Sequence, residues 1–342
     1  MRRLAAPKDK ERGGIAVIVA ILMVVLLGFA AISLDIALLY SERAQLQNGS
    51  DSAAFMLAQK CAKNESDPEC SPTSPLAADL ANKNAVDSLS NVKSITLDKL
   101  NRTVEVTAGA KEAGGTTNSV SLFFAGVLGI PNAEVLATSS VRWGSPLEGT
   151  TPFPLAFSVC QVSGMVNGAP QLLQNHNSNA NTDCNLGPAG KTVPGGFAWI
   201  VQSTGQCGGY VNLAVNQSGS DTGNDGPSNC DAILNKWAAD LGSGKSVTIL
   251  LPVYEDVSGT GSGASYDLLA FASFSVQGWK FSGVDKLPLV YNNVPAGGDK
   301  NLECKGECRG IIGQFVKYVS LTDGYKLGPV SPYGATVVEL TS

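Results

Sequence analysis

Eight cysteines are the first groups in the chain that could do chemistry: Cys61, Cys70, Cys160, Cys184, Cys207, Cys230, Cys304 and Cys308. Thiolates can hold zinc, attack a substrate or oxidise in pairs. A structural zinc site needs four ligands in a tetrahedron, commonly from closely spaced cysteine pairs. Here eight residues separate Cys61 from Cys70 and three separate Cys304 from Cys308. Only one histidine, His176, is present, so a histidine acid/base pair or a multi-histidine metal site is excluded by count. The even number favours disulfides; eight cysteines allow about 105 connectivities, among which the sequence alone does not choose, and pairing of neighbours (61–70, 160–184, 207–230, 304–308) is the expectation taken.

Other short stretches resemble ligand loops. "LGSGKS", Leu241–Ser246, reads like the end of a phosphate-binding loop, but the glycine such a loop requires six residues before its lysine is Ala239. A helical pattern precedes the run, with Ser228 and Asn229 as capping candidates, and a strand pattern follows it. A phosphate loop needs the opposite order, so the run is expected to be a helix C-cap and turn. "DTGNDGPSNCD" has Asp221, Asp225 and Gly226 at calcium-loop offsets, yet Gly223 takes a ligand position and Ala232 stands where the closing glutamate belongs. "SGTGSGAS" joins two strand patterns and opens no helix, against a dinucleotide loop. Trp199, Trp237, Trp279, Phe271 and Phe274 could line a carbohydrate-binding face; core packing is the commoner use, and strand alternation puts Phe271 and Phe274 on opposite faces. No Gly-x-Ser-x-Gly elbow occurs. The expectation is therefore no enzyme, no cofactor, no nucleotide and no metal site.

Compartment decides which of these chemistries matter. Ile15–Leu34, "IAVIVAILMVVLLGFAAISL", carries no charge, and as a helix it would cross a hydrocarbon core of about 30 Å. The run exceeds the usual apolar core of a signal peptide and passes into Asp35 without a small-residue cleavage site, so a retained transmembrane anchor is expected. Arg2, Arg3, Lys8, Lys10 and Arg12 crowd the leader, residues 1–14, which places it in the cytoplasm. The remainder is then outside the cytoplasm, where disulfides persist. A net charge of −5 offers no basic surface for nucleic acid.

Helical spacing continues past the anchor, with Ile36, Leu39, Leu46, Ala53, Leu57 and Cys61 near one face. A continuous helix from Ile15 to Lys60 would be a rod of about 70 Å. Asn48-Gly49 is its weak point, and Ser50 or Asp51 could cap a restarted helix.

The stretch "ERGGIAVIVAILMVVLLGFAAISLDIALLYSERAQLQNGSDSAA" resembles the N-terminal region of the TadE/TadG-like proteins of the tight-adherence (Flp) pilus system. The matching residues are Arg12, Gly13, Asp35, Tyr40, Arg43, Leu46, Gln47, Asn48, Asp51, Ala53 and Ala54. More loosely, "GGFAWI", "LLPVYEDVSGTGSGASYDLLAFASFSV" and "CRGIIGQFVKYV" are similar to the β-rich ectodomains of such proteins. The resemblance implies a pilin-like helix, a membrane location and partners among pilus-assembly proteins or pilins. Processed pilins of this system carry glutamate at the fifth position after the cut. Cleavage after Gly14 or Gly13 would place Val19 or Ile18 there, which argues against processing into a fibre subunit. Some TadG-like proteins hold a von Willebrand A domain with an Asp-x-Ser-x-Ser metal motif. Asp256, Ser258 and Thr260 come nearest, but a strand pattern follows them, so a hairpin loop is expected and no A domain is evident.

The expected architecture is α+β. A transmembrane helix, 15–34, extends into a long pilin-like helix with a small α+β module, 35–145. The module comprises a helix "LAADLANKNAVDSL", strands "VKSITLD" and "RTVEVTAG", a short apolar helix "SVSLFFAGVLGI" with Phe123 and Phe124 in the core, and a strand "AEVLATSSVRW". After a linker, "GSPLEGTTP", residues 146–342 form a mainly β ectodomain, a sandwich or partial barrel braced by disulfides. Two functions follow: an assembly component of the pilus system, or a surface adhesin or carbohydrate- or cell-wall-binding module.

Overall fold

The computed structural model describes residues 12–175, 181–215, 217–219, 229–260, 263–281, 299–304, 306, 308–319 and 325–341. The basic leader up to residue 11, His176, the Asp221–Asp225 run and the strand expected at "LPLVYN" lie outside the described residues. The architecture is α+β: a long N-terminal apolar helix followed by a mixed region of several largely antiparallel sheets. The chain divides into two compact units, Met1–Val141 with Leu340–Ser342, and Arg142–Glu339.

In the first unit, helix α1 (Arg12–Lys63) runs unbroken for 52 residues, about 78 Å. Neither Ser50 nor Asp51 caps a restart: the Ser50 hydroxyl donates to the Gln47 carbonyl at 3.0 Å, and Asp51 accepts from the Gln47 amide at 2.8 Å. Helix α2 (Pro75–Asn84) begins with Ser74, whose Oγ accepts the Leu76 N–H, and proline in the first turn, where a missing N–H is harmless. It ends at Asn84, short of the expected span, because Ala85 is extended and Ser88 takes a positive φ of 60°. Strands β1 (Ser90–Asp98) and β2 (Thr103–Ala110) form an antiparallel hairpin. Val104, Val106, Ala108 and Ala110 alternate along one face of β2 and are fully buried. Strand β3 (Ser119–Ser121), helix α3 (Phe123–Val127) and strand β4 (Asn132–Glu134) replace the single apolar helix expected over 119–130, with β3 and β4 antiparallel.

Strand β5 (Leu136–Thr150) corrects the linker expected at "GSPLEGTTP". Its glycines sit where a later segment of the chain comes close: a Cβ on Gly144 would meet the Gly328 carbonyl oxygen at 2.5 Å, and one on Gly149 would meet the Tyr325 ring. Glycines that look like linker composition are here the condition for sheet packing.

The second unit adds β6 (Leu155–Ser158), α4 (Val159–Val162), β7 (Gln171–Gln174), β8 (Phe197–Trp199), β9 (Tyr210–Asn212), β10 (Gln217–Gly219), α5 (Asp231–Gly242), β11 (Val247–Ser258), β12 (Ser265–Lys280), β13 (Gly310–Val316), β14 (Tyr318–Val319), β15 (Lys326–Gly328) and β16 (Thr336–Leu340). One sheet runs β7-β13-β12-β11-β6-β8, with β10 also on β12; β9 and β15 pair with β5, and β14 with β16. Most pairs are antiparallel; β6–β11 and β14–β16 are parallel. One buried cluster joins Phe157, Phe197, Phe271, Phe274, Trp279 and Phe315. Phe271 meets Tyr325, whereas Phe274 meets Phe157 and Phe315, so the middle of β12 is buried on both faces.

Candidate functional site

Helix α1 has two characters. From Ile15 to Leu34 its large side chains are exposed, and it is the one described helix long and apolar enough to cross a membrane. From Leu46 onward Ala53, Ala54, Leu57, Ala58, Cys61 and Ala62 are buried. The alanines leave little side chain in the way, and α2 comes close enough that Gly49 has a packing function. Polar contacts fix the register: Gln45 Oε1 accepts the Val86 N–H at 2.7 Å, and Asn84 Nδ2 donates to Ser52 Oγ at 3.4 Å. Tyr40, Arg43 and Asn48, which carry part of the family resemblance, are exposed.

Asp35 joins these two halves. Its side chain is only 5% exposed. Oδ1 accepts the Phe123 N–H at 3.2 Å, and Oδ2 accepts those of Phe124 at 3.0 Å and Ala125 at 2.6 Å. The leading amides of a helix have no intrahelical acceptor, so a carboxylate both satisfies them and suits the local dipole. The expectation that Phe123 packs in a core is corrected: it is 79% exposed. The sequence offers one signal for the role of Asp35, a lone carboxylate between two apolar stretches.

Elsewhere the described residues of two suspected ligand loops, "GSGKS" and "SGTGSGAS", form structural turns. Ser243 is the C-cap of α5 and Gly244 adopts φ +80°, turning "GSGKS" into β11. The N-cap of α5 is Cys230, with no side-chain cap bond, instead of Ser228 or Asn229. Asp256 lies on β11 and pairs with Lys191 at 2.7 Å, while Gly259 at φ +75° leads toward β12. Burial, then the neighbouring Asp267 and Asp256, raise the Glu255 carboxyl above its ordinary range. Glu148 is held low by hydrogen bonds from Lys326 and then Tyr210, tying β5 to β15 and β9. Burial raises Tyr254 strongly, and its hydroxyl donates to the Pro194 carbonyl at 3.0 Å. No group of three or more potential metal ligands occurs among the described residues. Trp237 and Trp279 lie 5.8 Å apart in the core.

The sulfurs form four bonds: Cys61–Cys70, Cys160–Cys184, Cys207–Cys230 and Cys304–Cys308. The first closes the loop between α1 and α2. The others brace the second unit where regular secondary structure is sparse.

No curated protein and no solved structure matches the chain significantly. The family model of the Flp pilus-assembly TadE/G-like proteins matches residues 13–58, and no von Willebrand A model matches. That match spans the exposed apolar half of α1, the Asp35 junction and most of the buried alanine stripe, so the likeness to the TadE/G-like Flp pilus-assembly proteins lies in the N-terminal helix.

Proposed function

We propose that the protein is a single-pass, membrane-anchored assembly component of a Tad/Flp-type pilus system, acting through protein–protein contacts. Residues 15–34 hold it in lipid with the N-terminus cytoplasmic, and the remainder works outside. The observation that carries this reading is the unbroken α1. It joins an apolar surface suited to lipid to a buried stripe that fixes a folded module, and most of this lies within the TadE/G-like match. A rigid connection of this kind transmits position: the module stands at a set height above the bilayer, where pilins or other assembly proteins can meet it. The burial of Trp237, Trp279, Phe271 and Phe274, with Trp199 half-buried, gives the carbohydrate-binding alternative less support, since stacking on a sugar needs exposed rings. A clean deletion strain tests the reading. Loss of surface pili, restored by the intact gene and not by a version lacking residues 15–34, is expected; normal piliation in the deletion strain contradicts it.

A further inference from the structure

We infer that α3 and the turn after it form a second membrane contact, an apolar knuckle inserted into the interface of the outer face of the bilayer beside α1. The inference rests on the reading that residues 15–34 span the membrane. Phe123, Val127, Leu128 and Ile130 are 79%, 83%, 69% and 56% exposed, on consecutive turns of one short segment. A soluble module gains nothing by holding four large apolar side chains in water.

The position of Asp35 identifies what covers them. Between Ile15 and Ser41 it is the only charged residue, and Ile36, Leu38 and Tyr40 beyond it are again exposed. The three α3 amides enclose its carboxylate, so the outer surface of α1 stays apolar through this point. An ionisable group at membrane depth needs such partners. Ile15–Leu34 fills the hydrocarbon core of about 30 Å, which puts Asp35 to Tyr40 at the headgroup level. Tyrosine is common at that level. Because Asp35 holds the start of α3, the knuckle lies at the same depth, where interfacial apolar groups reach about 5–10 Å into the boundary. Lipid is therefore the occupant argued for, in preference to a second copy of the chain.

Fluorescence quenching in vesicles tests this directly. The oxidised full-length protein, carrying Leu26→Cys, Val127→Cys or Leu100→Cys labelled with a small fluorophore, is reconstituted into phosphatidylcholine vesicles containing shallow or deep spin-labelled lipid. Leu100 is an exposed control at the β1–β2 turn, near Glu65 beyond the far end of α1. The expected result is strong deep quenching at Leu26, several-fold greater shallow quenching at Val127 than at Leu100, and loss of the Val127 signal in the Asp35→Ala background. Quenching at Leu26 with Val127 no more quenched than Leu100 overturns the knuckle and leaves the anchor standing. Absence of quenching at Leu26 overturns both. Efficient disulfide cross-linking between copies at Val127→Cys, with shallow quenching lost, assigns the surface to self-association and also overturns the proposal.

Discussion

A Cβ placed on Gly49 would lie 3.2 Å from the Cα of Ala81, so the backbones of α1 and α2 meet almost without side chains between them. This explains a glycine in the middle of a 52-residue helix, where glycine costs about 1 kcal/mol relative to alanine. Gly49→Ala sets that propensity gain against mild crowding and is expected to leave stability nearly unchanged. Gly49→Val drives two methyl groups into Ala81 and is expected to destabilise by about 1–3 kcal/mol. Denaturant melts of the full chain in detergent, followed by circular dichroism, check both. A more stable Gly49→Val protein would show that the helices do not meet there.

The disulfides differ in the length of chain they close. Cys160–Cys184 spans 24 residues and Cys304–Cys308 only 4. Constraint of the unfolded chain then gives about 3.5 kcal/mol for the longer loop and about 2 kcal/mol for the shorter. The Cys160→Ser/Cys184→Ser pair is expected to unfold at lower denaturant than Cys304→Ser/Cys308→Ser. The reverse order would mean that native contacts around the sulfurs, and not loop length, dominate.

Glu255 gives a pH dependence. Its folded carboxyl is raised above the unfolded value, chiefly by burial and then by Asp267 and Asp256. The folded state therefore binds the proton more tightly, so the contribution of this group is favourable below the unfolded value and is lost as pH rises through the folded one. At neutral pH the charged form opposes folding. Glu255→Gln is expected to raise the melting temperature at pH 7, with the difference shrinking as pH falls through the carboxylate range. An equal gain at acid and neutral pH would point to packing and not charge.

Much of this was legible in the residues, because periodicity is local. Val104, Val106, Ala108 and Ala110 announce β2 by alternation, and the α5 pattern followed by "GSGKS" announces a helix, a cap and a turn. What escaped depends on contacts distant in sequence. Gly144 and Gly149 look like linker residues until Gly328 and Tyr325 are seen against them. Phe123 looks like core until Asp35, 88 residues earlier, is found holding its amide. The short strands β7, β10 and β15 carry too few residues for a pattern to show, and their pairing comes from the neighbouring strands.

Everything proposed depends on where the folded units lie relative to the membrane, and Leu100→Cys reports it with one thiol. Leu100 is 85% exposed, and no free cysteine occurs among the described residues to compete with it. A membrane-impermeant maleimide added to intact cells is expected to label Leu100→Cys as fully as it does after permeabilisation, with the unsubstituted protein unlabelled in both. Labelling that appears only after permeabilisation would place the units in the cytoplasm and contradict the anchored, outward-facing assembly role.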